Sequence, residues 1–207
     1  MLSLSVTLTF CAAAILLALA PGPDNIFVLT QSAISGKRGG IFVVLGLCTG
    51  IIVHTAAVAL GLSALITQSA IAFTIIKMLG AGYLIWLAIG AFRAPVQKLE
   101  TGQIAIDAVS LYRRGVIMNV TNPKVAIFFL AFFPQFIDVE RGSLFSQTLQ
   151  LGALFALSTL VVFSAIAVMA GQLGALLRES PTFQISLNRI AGVVFVGLAA
   201  KIAFSSR

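Results

Sequence analysis

Apolar residues run almost unbroken through six stretches, roughly 3–32, 40–66, 70–92, 115–137, 144–173 and 183–204. Each is long enough, at about 20 residues per crossing, to span a bilayer. The pattern predicts six transmembrane helices in an all-α integral membrane protein. The connections are polar or rich in glycine. Ser35-Gly36-Lys37-Arg38-Gly39-Gly40 reads as a loop, Thr67-Gln68-Ser69 as a short turn, and Asp138-Val139-Glu140-Arg141-Gly142 and Arg178-Glu179-Ser180-Pro181 as further loops. The longest connection, 93–114, divides one domain of 1–207 into a first repeat of about 1–92 and a second of about 115–207. Three spans per half is an odd number, so equivalent elements run oppositely through the membrane, as in inverted-topology repeats.

Two of the apolar runs are interrupted. Pro21-Gly22-Pro23-Asp24-Asn25 breaks the first and Asn122-Pro123-Lys124 breaks the fourth. Proline removes a backbone donor and clashes with the preceding turn. Pro23 and Pro123 are one hundred residues apart, and so are Asp24 and Lys124. Broken helices at matching places in two halves, with a charge at each, form the pattern of a transporter with a midplane site.

Composition narrows the class. Hydrophobic residues make up 59% of the chain and charged residues 9%, against about 25% charged in soluble domains. Six spans in 207 residues leave no room for a soluble catalytic domain. The net charge of +7 is scattered over loops, with no basic face for nucleic acid. Lys37, Arg38, Arg93, Lys98, Arg113, Arg114 and Arg178 fall on one side of a six-span layout, and only Arg141 and Arg207 on the other. The positive-inside rule puts the first group in the cytoplasm and both termini outside. Ala18-Leu19-Ala20 resembles a signal-peptide cleavage site. Without a basic residue before it, the segment is expected to stay as a permanent span.

Asp24 precedes Lys37 by thirteen residues, and Lys124 follows Arg114 by ten. At 1.5 Å per residue both charges sit about 15–20 Å from the cytoplasmic end of their spans, near the middle of the bilayer. Charges at that depth are costly, so they pair, face the bundle interior or line a water-filled path. Asp24 and Lys124 read either as an ion pair tying span 1 to span 4 or as the two ends of a site for a zwitterion. In the second reading Asp24 attracts an ammonium and Lys124 a carboxylate. A proton-relay role for Asp24 is compatible with both. Pro21, Gly22, Pro23, Asn25, Asn119, Asn122 and Pro123 complete the candidate substrate-binding group, through unwound backbone and side-chain amides. Each asparagine reads equally as an interhelical hydrogen bond.

Gly46, Gly50 and His54 share one face of span 2, since a spacing of four drifts by about 40° around a helix. The glycines suit close helix packing. His54, the only histidine, is either a structural hydrogen-bonding residue or a proton-coupling or gating group. Phe128, Phe132 and Phe136 form one stripe, for lipid or for core. Trp86 and Tyr83 read as packing residues, and Cys11 and Cys48 as small apolar ones. No metal-ligand spacing, phosphate loop or nucleophile with a base is present, so the sequence predicts neither an enzyme nor a cofactor or metal.

Together, Pro21-Gly22-Pro23, the Gly46–Gly50–His54 series, Asn122-Pro123-Lys124 and the phenylalanine run ending at Pro134-Gln135-Phe136 resemble the LysE/RhtB family of amino-acid exporters, over essentially the full chain. The resemblance implies inner-membrane export of an amino acid such as lysine, homoserine, threonine or leucine, driven by protons or by the membrane potential, and a homodimer. The sequence reading is therefore a secondary active transporter exporting an amino acid or related small zwitterion by alternating access. Its partners are that solute and the lipid bilayer. A metal-ion or other small-ion exporter or channel would want several deep acidic or thiolate ligands. A membrane scaffold that moves no solute would use the glycine face alone.

Overall fold

The computed structural model describes residues 2–20, 22–68, 70–94, 107–170 and 180–204. All of the regular structure in them is helical. In chain order the helices are α1 (Leu4–Leu19), α2 (Pro23–Gln68), α3 (Ala70–Arg93), α4 (Ala108–Thr121) and α5 (Pro123–Ile127). A π-helical turn, Phe128–Phe132, and 3-10 turns at Phe133–Phe136 and Val139–Arg141 lead to α6 (Leu144–Val168) and α7 (Pro181–Phe204). Pro21, Ser69, most of the 93–114 connection including Lys98, and Arg178 and Glu179 lie outside the described residues.

Among the described residues, three helices are long and apolar enough to cross a membrane: Pro23–Gly61, Leu144–Val168 and Gln184–Phe204. A fourth arises if Ala108–Thr121 and Pro123–Phe136, bent by 48° at Asn122, count as one span. Leu4–Leu19 is apolar but shorter, about 24 Å at the helical rise.

Two of the expected connections need correction. Residues 35–40 are not an open loop. Helix continues on both sides of a single kink at Gly36, whose φ of +71° suits a residue without Cβ. Gly39 and Gly40 are helical, and a Cβ at Gly40 would crowd Ser32 and Ala167 of α6. The connection placed at 93–114 also ends earlier than expected. Asp107 caps α4, accepting from the N–H groups of Val109 and Ser110 at 3.0 Å each. Arg113 and Arg114 therefore sit on the exposed side of a helix rather than in a loop.

α2 packs along α4 and α6, α3 along α7, and α1 along α6. The core is aromatic at its centre. Phe10 of α1 meets Phe133 at 5.6 Å and Phe136 at 5.1 Å between ring centroids. Phe128 meets Phe155 of α6 at 4.9 Å. The stripe Phe128, Phe132 and Phe136 thus faces the core, and Phe129 and Phe133 are buried with it. The π and 3-10 turns rewind the chain so that Leu130, 53% exposed, is the large residue left outside. Trp86 is 64% exposed, which corrects its reading as a packing residue. It touches Tyr83 beside it and faces outward on α3. Past the core, Gln147 of α6 exchanges two hydrogen bonds with the Asp138 backbone, at 2.9 and 2.8 Å, and so pins the corner before α6.

Candidate functional site: two helix breaks that cap each other

The last turn of a helix leaves carbonyls without partners. α1 ends at Leu19, with Ala20 in an extended conformation (φ −59°, ψ 122°). Three of its terminal carbonyls are taken by side chains. Asn25 Nδ2 donates to the Ala18 oxygen at 2.7 Å. Lys124 Nζ, from the other half of the chain, donates to Leu17 at 3.2 Å and to Ala20 at 3.1 Å. A cation at a helix C-terminus is also favoured by the backbone dipoles. Gly22 gives the ammonium room: a Cβ there would stand 3.1 Å from Lys124 Nζ.

The second break is built on Asn122, which ends α4 and starts α5. Its extended backbone (φ −71°, ψ 110°) is what a following proline imposes. Its Oδ1 accepts from the Lys124 N–H at 2.9 Å, capping α5, with Pro123 at the first helical position, where a missing N–H costs nothing. Its Nδ2 donates to Asp24 Oδ1 at 2.9 Å, and Asn119 Nδ2 donates to Asp24 Oδ2 at 3.3 Å. Asp24 itself lies in the first turn of α2, where an anion is favoured. Asp24, Asn119, Asn122 and Lys124 are all 5% exposed or less.

Asp24 and Lys124 are not an ion pair. No salt bridge joins them, unlike Arg141 and Asp138, which pair at the surface at 2.9 Å. Each deep charge is instead hydrogen-bonded by polar groups of the opposite break.

His54 extends the network. Pro123 has no N–H to offer the carbonyl of Asn119, four residues earlier. His54 Nε2 lies 3.2 Å from that oxygen, and since a carbonyl only accepts, Nε2 carries the proton. The imidazole stacks on Phe129 at 5.3 Å. The Gly46–Gly50–His54 face meets α4 directly. A Cβ on Gly46 would fall on the Tyr112 carbonyl, and one on Gly115 would stand 3.1 Å from the Gly46 Cα. A Cβ on Gly50 would run into the Asn119 side chain, 2.6 Å away. The bare glycine surface is what lets α4 approach closely enough for Asn119 to reach both Asp24 and His54.

The structure thus gathers Gly22, Asp24, Asn25, His54, Asn119, Asn122 and Lys124 into one cluster, buried at Asp24, Asn119, Asn122 and Lys124, with Pro23 and Pro123 opening α2 and α5. Pro21 lies outside the described residues. Leu17, Ala18, Asp24, Asn119, Lys124 and Val125 border a cavity of about 10 Å3, roughly the room one water needs. α6 closes it with Phe155, Thr159 and Phe163. Sequence reasoning did not single out these three, nor Gly115. The available signals were the spacing of four along α6 and the polar pair Ser158-Thr159 in an otherwise apolar run.

Residues 15–206 match the family model described as LysE type translocator. A membrane protein of Vibrio cholerae serotype O1 is 34% identical over 204 residues, covering 98% of both chains. The homoserine/homoserine lactone efflux proteins of Salmonella typhimurium and Salmonella typhi are each 36% identical over 189 residues, covering 91% of both chains. No solved structure matches.

Proposed function

Because the chain belongs to the LysE type translocator family and is a multi-pass membrane protein rather than an enzyme, we propose that it is a secondary active exporter of an amino acid. Homoserine or a related small zwitterion is the substrate that the efflux relatives favour. The observation that carries this reading is the exchange of contacts between the two breaks. An ammonium is already bound by the α1 carbonyls, and a carboxylate by the amides of Asn119 and Asn122. A zwitterionic amino acid presents both groups on one carbon. Its ammonium would take Asp24 and the freed α1 carbonyls, and its carboxylate would take Lys124. The same groups would therefore hold the halves closed when the site is empty and hold the substrate when it is filled.

The cavity, about 10 Å3, is far too small for homoserine. Substrate entry requires the two breaks to separate, which is the motion alternating access needs. We place α1 and residues 23–35 together in span 1, residues 37–61 in span 2, α3 in span 3, α4 to Phe136 in span 4, α6 in span 5 and α7 in span 6. Pro23–Gly61, at 39 residues, is about 58 Å long if straight, nearly twice a hydrocarbon core of about 30 Å. The Gly36 kink divides it suitably. The six spans form two inverted repeats in the inner membrane, with both termini periplasmic and export coupled to the proton motive force. Asp24 is the candidate proton carrier. His54, held by the Asn119 carbonyl, positions the break. The homodimer implied by the family resemblance belongs to this proposal too.

Counterflow into proteoliposomes tests it. Labelled homoserine should accumulate against unlabelled homoserine on the inside, and a panel of divalent cations should not compete. Absence of counterflow for every amino acid tried, with folded protein, would reject the reading.

A further inference from the structure

The contacts described so far account for the ammonium and carboxylate of a substrate but not for its side chain. Phe155, Thr159 and Phe163 are spaced by four on α6 and form one stripe on the cavity between Asp24 and Lys124, with about 40° of drift per step. Thr159 is 3% exposed. A threonine or serine within a helix ordinarily returns its proton to the carbonyl one turn back. Thr55, Thr148 and Ser158 do so at 2.8 Å each. Among the described residues, none holds the Thr159 hydroxyl in a hydrogen bond. Thr159 lines the cavity bordered by the two deep charges, where its hydroxyl can meet a ligand.

We propose that Thr159 is the residue that selects the substrate side chain. Resting on the reading that Asp24 and Lys124 take the two α-substituents, it donates its hydroxyl proton to an oxygen at the γ-position of the side chain. The rings of Phe155 and Phe163, one turn to either side, bound the apolar part of that chain and limit its length. The substrate class is then α-amino acids with a short, oxygen-bearing side chain. Homoserine fits it. Norvaline, which has a methyl in place of the hydroxyl, has the same shape but leaves Thr159 without a partner.

The test is counterflow of labelled homoserine and labelled norvaline by wild type, Thr159→Val, Thr159→Ala and Thr159→Ser in proteoliposomes. Wild type should favour homoserine by about tenfold, as expected for one buried hydrogen bond. Thr159→Val and Thr159→Ala should bring the homoserine-to-norvaline ratio near one, and Thr159→Ser should restore it. A wild type that carries both solutes equally, or an unchanged ratio in Thr159→Val or Thr159→Ala, would overturn the assignment while leaving the exporter reading intact. Wild-type protein that carries neither solute would overturn the assignment, and the exporter reading would fall with it only if no other amino acid shows counterflow either. The wild-type ratio is informative even if a variant fails to fold.

Discussion

Lys124 donates to the carbonyls of Leu17 and Ala20 at 3.2 and 3.1 Å, on the opposite break, and its nearest acid, Asp24, forms no salt bridge with it. Asp24 answers by accepting from Asn119 and Asn122 on the break that carries Lys124. Each charge therefore completes the other half's unwound backbone. A direct ion pair would neutralise the two groups but leave those carbonyls and amides without partners, at a cost of about 1–3 kcal/mol per buried group. The exchanged arrangement satisfies backbone and charge together, and it keeps both charges available to a ligand.

Replacing Lys124 removes two hydrogen bonds and one of two deep charges. We expect Lys124→Ala to lose transport and to lower stability by about 1–3 kcal/mol, since the Leu17 and Ala20 carbonyls stay buried without donors. Thermal unfolding in detergent, alongside counterflow, checks both effects. A variant as stable and active as wild type would show that the carbonyls find other partners.

The α2–α4 contact depends on absent side chains. Gly46→Val should push α4 away, costing about 1–3 kcal/mol as an overpacked contact does, and should displace Asn119 from Asp24. Gly61→Ala is the comparison. Nothing lies within 4 Å of a Cβ there, so it should be neutral or stabilising by up to about 1 kcal/mol. Thermal unfolding of the two variants should separate clearly, and equal effects would contradict the close approach.

Asp107 gives a pH-dependent effect outside the membrane. Hydrogen bonds from Ser110, through its side chain and then its backbone, with the Val109 N–H adding to them, hold the Asp107 carboxyl below its ordinary value. A depressed folded pKa means that the cap stabilises above the unfolded pKa and is lost as pH falls through the folded one. Asp107→Ala should unfold at a lower temperature than wild type at neutral pH. The gap should narrow below about pH 4, where an unperturbed aspartate titrates. A gap that widens on acidification would contradict the cap.

Several of these relationships are legible in the sequence and others are not. Asp24 and Lys124 stand out because a proline next to a charge, deep in an apolar run, is incompatible with a plain lipid-facing helix. The groups they hold do not stand out, because carbonyls at 17 and 20 carry no sequence signal and their pairing depends on how the halves dock. The spacing of four puts Gly46, Gly50 and His54 on one face. Periodicity does not give the register against Gly115 and Asn119, which is set between helices. A period of 3.6 selects Phe128, Phe132 and Phe136 as a stripe. It misses Phe129 and Phe133 because the turns around Pro134 are not α-helical. Basic residues and glycines at 35–40 and 113–114 look like loops, although helix runs through both regions with only the Gly36 kink.

Whether the two breaks hold the solute is tested most directly by homoserine counterflow, with wild type and Asp24→Asn side by side in proteoliposomes matched for folded protein. The amide keeps the size of the carboxylate but removes the charge that an ammonium would need. Wild type should show robust counterflow and the variant a loss of at least about tenfold, comparable to one charge-assisted hydrogen bond. Near-normal counterflow by Asp24→Asn would show that the two breaks are structural and that the solute passes elsewhere.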